Sequence, residues 1–398
     1  MATDDAVQQS RRRPKDRKQQ ILAAAARQFR ELGYSNVSMA DIADEVGITA
    51  GALYRHFRSK QDLLLGAMWR TFRHVEVALD GTDVDLDDLL DTLATFSVEE
   101  RAIGVLWQRE ARNLPEEDRQ RLRKALRAIS ASAVKAIVGA RPQATPADLD
   151  LLGWAVLSIL ASPGYHTVEL KPERFVTLLD HAIRAVCAAE LTSTGGTPPT
   201  RERVRGTGRP PLHPVSRRET LLSVAIHQFS QQGFQAVGIS DIGAAASITG
   251  ASVYHYFSNK LEILLTALNR AHETLWLGLH YALESAGTPS RALELALHSY
   301  IDFGVRHPEL LNLMVTEILN VPEEQRHELE RRQHSYMLEW ASLLRGRRET
   351  LDAPEAELLV HIAFALVNDL TRIDHLHERP TLADDLVTLC LCVLNAPT

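Results

Sequence analysis

Between positions 40 and 60 the chain reads ADIADEVGITAGALYRHFRSK, a stretch rich in side chains that bond by hydrogen or charge and poor in catalytic groupings. At helical spacing Leu53 and Phe57 share one face, while Gly51, Tyr54, Arg55 and Arg58 share another. A short helix that is small at its N-terminal end can approach a major groove closely and present such groups to base edges. Thr49 stands where it caps this helix, and its hydroxyl with the first amides can also meet a phosphate. The chemistry on offer is recognition of nucleic acid.

Three elements must hold that face in place. RKQQILAAAARQFRELG has Ile21, Leu22, Ala25, Phe29 and Leu32 at helical spacing and then Gly33. SMADIADEVG begins at the cap-type Ser38 and ends at Gly47, and TAGALYRHF follows at once. Phe29 and Leu22, Ile42 and Val46, Leu53 and Phe57 supply the core. Helices of this order, with a tight turn between the last two, predict a helix-turn-helix. SKQDLLLGAMWRTF starts a further helix at Ser59, with Asp62 three residues on.

The same stretch returns as SDIGAAASITGASVYHYFSNK at 240–260. At an offset of 200, Leu22, Gln28, Phe29, Gly33, Val37, Asp41, Ile42, Ile48, Thr49, Tyr54, Phe57, Lys60, Leu64 and Leu65 recur as the same residue types. EARNLPEEDRQRL from Glu110 recurs as EILNVPEEQRHEL from Glu317, an offset of 207, so the repeat extends beyond the helix-turn-helix. The intervening LTSTGGTPPTRERVRGTGRPPLHPVS reads as a linker. The expected domains are 1–66, a helix-turn-helix with a basic arm; 67–190, a helical regulatory domain; 191–216, the linker; 217–266, the second helix-turn-helix; and 267–398, the second regulatory domain. With no strand-like alternation, the chain reads as all-α.

The pattern D-I-A-x-x-x-G-[IV]-[ST]-x-G-x-[LV]-Y-x-[HY]-F-x-[SN]-K resembles the DNA-binding domain of TetR/AcrR transcriptional regulators. The first copy carries it at Asp41, Ile42, Ala43, Gly47, Ile48, Thr49, Gly51, Leu53, Tyr54, His56, Phe57 and Lys60. The second carries it at Asp241, Ile242, Ile248, Thr249, Val253, Tyr254, Tyr256, Phe257 and Lys260. The resemblance implies that Thr49, Tyr54, His56 and Lys60, and by position Thr249, Tyr254, Tyr256 and Lys260, touch phosphates. It also implies a larger helical domain that binds a small, mostly apolar effector, and action as a dimer on double-stranded DNA. Two reading heads about one helical turn, roughly 34 Å, apart are needed for that. One chain holding both is expected to act as a pseudo-dimer; a homodimer with four heads is the other arrangement. Gly51, Arg55 and Arg58 become Ala251, His255 and Ser258, and Ser252 joins the second interface, so the half-sites are expected to differ. Gly47 becomes Ser247, at a cost if the turn needs positive φ.

Net charge is −7 over 398 residues, yet RRRPKDRK at 11–18 and the segment around 201–219 are basic, while DGTDVDLDDLLD at 80–91 is acidic. Arg11, Arg12 and Arg13 either enter a minor groove or form a solvated arm that attracts DNA without regard to sequence. Candidate effector contacts are Trp107, Trp154, Tyr165 and His166 in the first half. In the second they are Met314, Trp340, His361, Phe364, Asn368, Asp369 and Arg372; His361, Asn368 and Arg372 are spaced to share a helix face, though core packing is the plainer reading of each. EARNLPEEDRQ reads as a helix start with a solvated face, and His375 and His377 as exposed loop residues. Cys187, Cys390 and Cys392 are an odd, sparse set that fits a reducing cytoplasm, and Cys390 and Cys392 read as small core residues. HExxH, GxSxG, P-loop and GxGxxG signatures are absent, so no enzyme, cofactor or metal site is expected. The N-terminus has no secretory h-region, and no apolar run is long enough to span a membrane. A DNA-binding protein that senses no ligand is the alternative function.

Overall fold

The structure is a computed structural model that describes residues 14–79, 86–138, 143–192 and 215–398; Arg11, Arg12, Arg13 and most of the linker lie outside them. Every regular element among the described residues is helical. The first half comprises α1 (Pro14–Leu32), α2 (Met39–Val46), α3 (Ala50–His56), α4 (Lys60–Leu79), α5 (Leu86–Glu99), α6 (Ala102–Val105), α7 (Glu116–Val138), α8 (Pro146–Ala161) and α9 (Pro172–Cys187). The second repeats this order in α10 (Arg217–Gln232), α11 (Ile239–Ala245), α12 (Gly250–Val253), α13 (Lys260–Ser285), α14 (Pro289–Arg306), α15 (Pro308–Thr316), α16 (Glu323–Arg347) and α17 (Ala353–Leu370), followed by α18 (Asp374–His377) and α19 (Leu382–Leu394). α4 and α13 run unbroken through residues 66 and 266, so each expected domain boundary falls inside one helix that ties a head to its body.

Each head is a three-helix core. Ile21, Leu22, Phe29, Ile42, Leu53 and Phe57 are buried in the first, Leu221, Leu222, Phe229, Ile242, Val253 and Phe257 in the second. The bodies are bundles in which α8 and α17 occupy the centre. Both are apolar over most of their surface, as a helix largely surrounded by others is, with a few polar residues such as Glu355 and Asp369 among the apolar ones. α8 packs on α7, α9 and α17, while α19 packs on α9 and α17, so the two halves share a four-helix contact.

Polar pairs tie the halves together as well. Arg379, buried, bonds Asp148 of the first half at 2.5 Å and Asp385 at 2.7 Å. Arg174 reaches Glu355 at 2.5 Å, and His375 reaches Asp150 at 2.8 Å. His375 and His377 therefore sit on a short helix rather than in a loop, exposed as expected. Cys187 and Cys390 are buried and Cys392 half-buried, and none of the three forms a disulfide. No described helix is long and apolar enough to cross a membrane.

Candidate nucleic-acid interface

α2 begins with a capping box: the Asp41 amide donates to Ser38 Oγ at 3.2 Å, and the Ser38 amide donates to Asp41 Oδ2 at 2.7 Å. These bonds hold the Asp41 carboxyl below the usual range. In the second head Gly238 replaces Ser38, and only the Asp241 half of the box remains, at 2.7 Å. Gln28 and Gln228 each donate to the carbonyl of that aspartate at 3.3 Å. The recurrence of Asp41 and Gln28 is thus explained by the geometry of the head itself. Ser59 caps α4 through the Asp62 amide at 3.0 Å, while the Asp62 carboxylate takes the Arg58 amide instead of closing a box on Ser59.

The turn between α2 and α3 passes through Gly47 with φ +69° and open space around its Cα, and through Ser247 with φ +58° in the second copy. Ser247 is the one non-glycine residue with positive φ among those described. The turn therefore keeps its shape, and serine carries strain that glycine does not.

α3 starts at Thr49, whose side chain accepts from the Ala52 amide at 3.2 Å. Leu53 points into the core, and Gly51, Tyr54, Arg55 and His56 are exposed. In the second head Thr249 caps Ser252 at 3.2 Å and also bonds its hydroxyl at 2.8 Å. Ser252 is half-buried, while Tyr254, His255 and Tyr256 are exposed. Tyr54 and Tyr254 are 54% and 57% exposed, unusual for large aromatic rings and matched in both heads. α12 spans only Gly250–Val253, after which His255 and Tyr256 continue with bonds to residues three back, so the second recognition helix is tighter and shorter than the first.

Lys60 and Lys260 are placed differently from the rest. The Lys60 ammonium donates to the carbonyls of Tyr34 at 2.5 Å and Val37 at 2.6 Å and lies 4.2 Å from the Tyr34 ring centre. Lys260 bonds Phe234 and Val237, both at 2.8 Å, and lies over the Phe234 ring. Partial burial lowers the pKa of both. Each ammonium closes the loop after the first helix, facing inward and not toward the exposed face that holds Tyr54 and Arg55.

The second repeated motif joins heads to bodies. Glu110 and Glu317 are 3% and 0% exposed, which corrects the reading of EARNLPEEDRQ as a solvated face. Its acids at 116–118 do start α7 at the surface, but EARN is internal. Charge is tolerated there because it is paired. Arg109 bonds Glu110 at 2.6 Å and the carbonyls of Phe29 and Arg30, at the end of α1, at 2.6 Å each. Glu317 accepts from the Phe234 amide at 3.3 Å and pairs with Arg112 of the other half. Arg112 lies against Gly233, and its repeat equivalent Leu319 lies against Gly33, so each body touches the opposite head. Neither the pairing nor its reach across halves is written in local spacing, although the recurrence of the motif marked it.

Two cavities lie in the bodies. One of about 390 Å³ is lined by Trp107, Trp154, Tyr165, Asp369 and Arg372. The other, of about 1090 Å³, is lined by Tyr165, His166, Met314, His361, Phe364 and Asn368. Two expectations change. Trp340 is fully buried among Tyr300, Tyr336 and Phe364 and lines neither cavity, because packing rings leave no free face. Arg372 lies beyond the end of α17 and points to the smaller cavity, away from His361 and Asn368. Burial pushes Asp369 up to about 7 despite Arg372 beside it, and burial takes His361 down to about 3.

Two helix-turn-helix heads with exposed third helices, each set on a helical body, define a tandem helix-turn-helix architecture. The model for bacterial regulatory proteins of the tetR family matches residues 21–67 and 221–267. The transcriptional activator FasR of Mycolicibacterium smegmatis is 32% identical over 87 residues, covering 22% of this chain and 40% of that protein. The transcriptional repressor NicS of Pseudomonas putida is 30% identical over 110 residues, covering 26% and 49%. This chain thus spans less than half the length of either relative. The solved ketosteroid transcriptional regulator KstR2 of Mycobacterium tuberculosis aligns with a TM-score of 0.39 and 21% identity over 47% of this chain and 98% of that one. The chain thus carries two tandem segments that match the tetR-family model, one in each head.

Proposed function

We propose that this protein is a ligand-responsive transcriptional regulator, a repressor in its free state, whose two heads read the two halves of one asymmetric operator as an intramolecular pseudo-dimer. The observation that carries the reading is the contact between halves: α8 and α9 pack on α17 and α19, and each body touches the opposite head through Arg112 at Gly233 and Leu319 at Gly33. Two heads braced by one continuous body have a defined separation, which is what two half-sites one helical turn apart require. The cavities supply the place for an effector, and α4 and α13 run from the cavity walls into the heads. Effector and operator then oppose each other by one coupling free energy. Thr49, Gly51, Tyr54, Arg55 and His56 form the first reading face, and Thr249, Ser252, Tyr254, His255 and Tyr256 the second. Arg55 against His255 makes the two faces read different bases.

Selection of binding sites from random DNA, followed by hydroxyl-radical footprinting, tests the reading. The expected result is two protected half-sites of unlike sequence. A perfect palindrome with mirror-image protection sinks the asymmetric reading.

A further inference from the structure

The internal repeat continues into the cavities. Their lining positions correspond at the same offsets that relate the motifs, 200 along α4 and α13 and 207 beyond them. Each is closed by a segment of the opposite half: Asp369 and Arg372 enter the smaller cavity, and Tyr165 and His166 enter the larger one. Tyr165 and Arg372 are themselves 207 apart. The molecule therefore builds one site twice. In a homodimer the two copies are identical by necessity; inside one chain they are free to differ, and here they do.

At equivalent positions the smaller cavity has Phe72, Trp107 and Trp154 where the larger has His272, Met314 and His361. The balance of charge differs. Arg123 and Arg127 on α7 become Glu330 and His334 on α16; the larger cavity also has Glu357, Glu31 and Glu169 against Arg30 and Arg109, and the smaller has Arg372 beside Asp369 and Asp374. The inner ends differ in the same sense. Arg372 lines only the smaller cavity, and its Nη1, like the Tyr165 hydroxyl, is closed off from solvent with no hydrogen bond of ordinary geometry to the protein. Tyr165 and Gln108 line both cavities; the unpartnered atoms found in the larger one alone are Nε2 of His166 and Nε2 of His272, on residues 7% and 3% exposed. A buried polar atom left without a partner costs about 1–3 kcal/mol unless something bonds it. Burial lowers the pKa of both imidazoles. Nδ1 of His166 accepts from the Val168 amide at 3.2 Å, so its neutral ring donates through Nε2–H, while Nε2 of neutral His272 can accept.

We propose that the two cavities are separate ligand sites for different chemical classes. The smaller takes a flat apolar molecule with an acidic head, which stacks between Trp107 and Trp154 and meets Arg372. The larger takes a bulkier, amine-bearing aromatic molecule, attracted by Glu330 and Glu357 and bonded by His272. The inference rests on the ligand-responsive reading above and makes the protein a receiver of two inputs.

Calorimetric titration of the full chain with 2-naphthoate and with N-benzyl-1-naphthylmethylamine tests it. Leu126 and Gln333 are equivalent, half-buried lining residues, so Leu126→Trp and Gln333→Trp each fill one cavity from its rim. Circular dichroism and melting of both variants confirm that they fold. The expected result is that Leu126→Trp weakens naphthoate at least about tenfold and leaves the amine within about twofold, with Gln333→Trp doing the reverse. Loss of both probes in one variant, competition between the probes, or no binding affected by either variant overturns the proposal. Operator affinity measured beside each titration separates this from the regulatory reading. A single shared site that still releases operator sinks the two-site inference alone. Two separately blocked sites that leave operator affinity unchanged uphold the inference and sink the ligand response.

Discussion

At the scale of single residues, the conserved type of a side chain between the two copies has two different causes. Lys60 and Lys260 recur because each ammonium holds two loop carbonyls, and Asp41 and Gln28 recur because they close the head. Tyr54 and Tyr254 recur with their rings in solvent, where the fold makes no use of them. This separation gives a test. Lys60→Met is expected to lower the melting temperature of the protein, by about 1–2 kcal/mol in stability, while the dependence of operator binding on salt keeps its slope. A phosphate contact predicts the opposite, a slope smaller by about one with the fold intact. Tyr54→Ala with Tyr254→Ala is expected to weaken binding across all sequences alike. Arg55→Ala should cost about 1–3 kcal/mol at one base pair of one half-site and relax preference there, as read by competition among mutated duplexes. The caps and the exposed face were legible in the sequence because they depend on neighbours within a few residues. The inward turn of Lys60 was not, since its acceptors lie 23 and 26 residues away.

At the scale of elements, the turn between α2 and α3 sets how the recognition helix leaves the head. Gly47 occupies a left-handed conformation at no steric cost, and Ser247 occupies it at a cost. Gly47→Ser is expected to destabilise the protein by roughly 1 kcal/mol, and Ser247→Gly to stabilise it by a similar or smaller amount because glycine also loosens the unfolded chain. Denaturant midpoints measure both, and a larger loss on Ser247→Gly contradicts the strain. The positive φ was foreseeable from the position of Gly47 alone. The shortness of α12 was not, because its sequence keeps the same pattern as α3 and differs only in how its last turn bonds. Trp340 left the cavity lining, and Arg372 left the face shared with His361 and Asn368, for a related reason. Helical spacing places residues on a face but does not say what packs against that face or where the helix stops.

At the scale of the whole molecule, the proposed pseudo-dimer makes the duplication a substitute for an interface between chains. Arg379 to Asp148, Arg174 to Glu355 and Arg112 to Glu317 all join residues more than 180 apart in sequence, which is why the repeat was visible early and the joint was not. A joint of this kind lets the two heads and the two cavities differ while their spacing stays common. The mass of the protein bound to a selected operator duplex, measured by light scattering, tests that account most directly. One chain per duplex is the predicted result, with both heads of that chain on the two half-sites. Two chains per duplex, hence four heads, would contradict the account and place the functional dimer between chains.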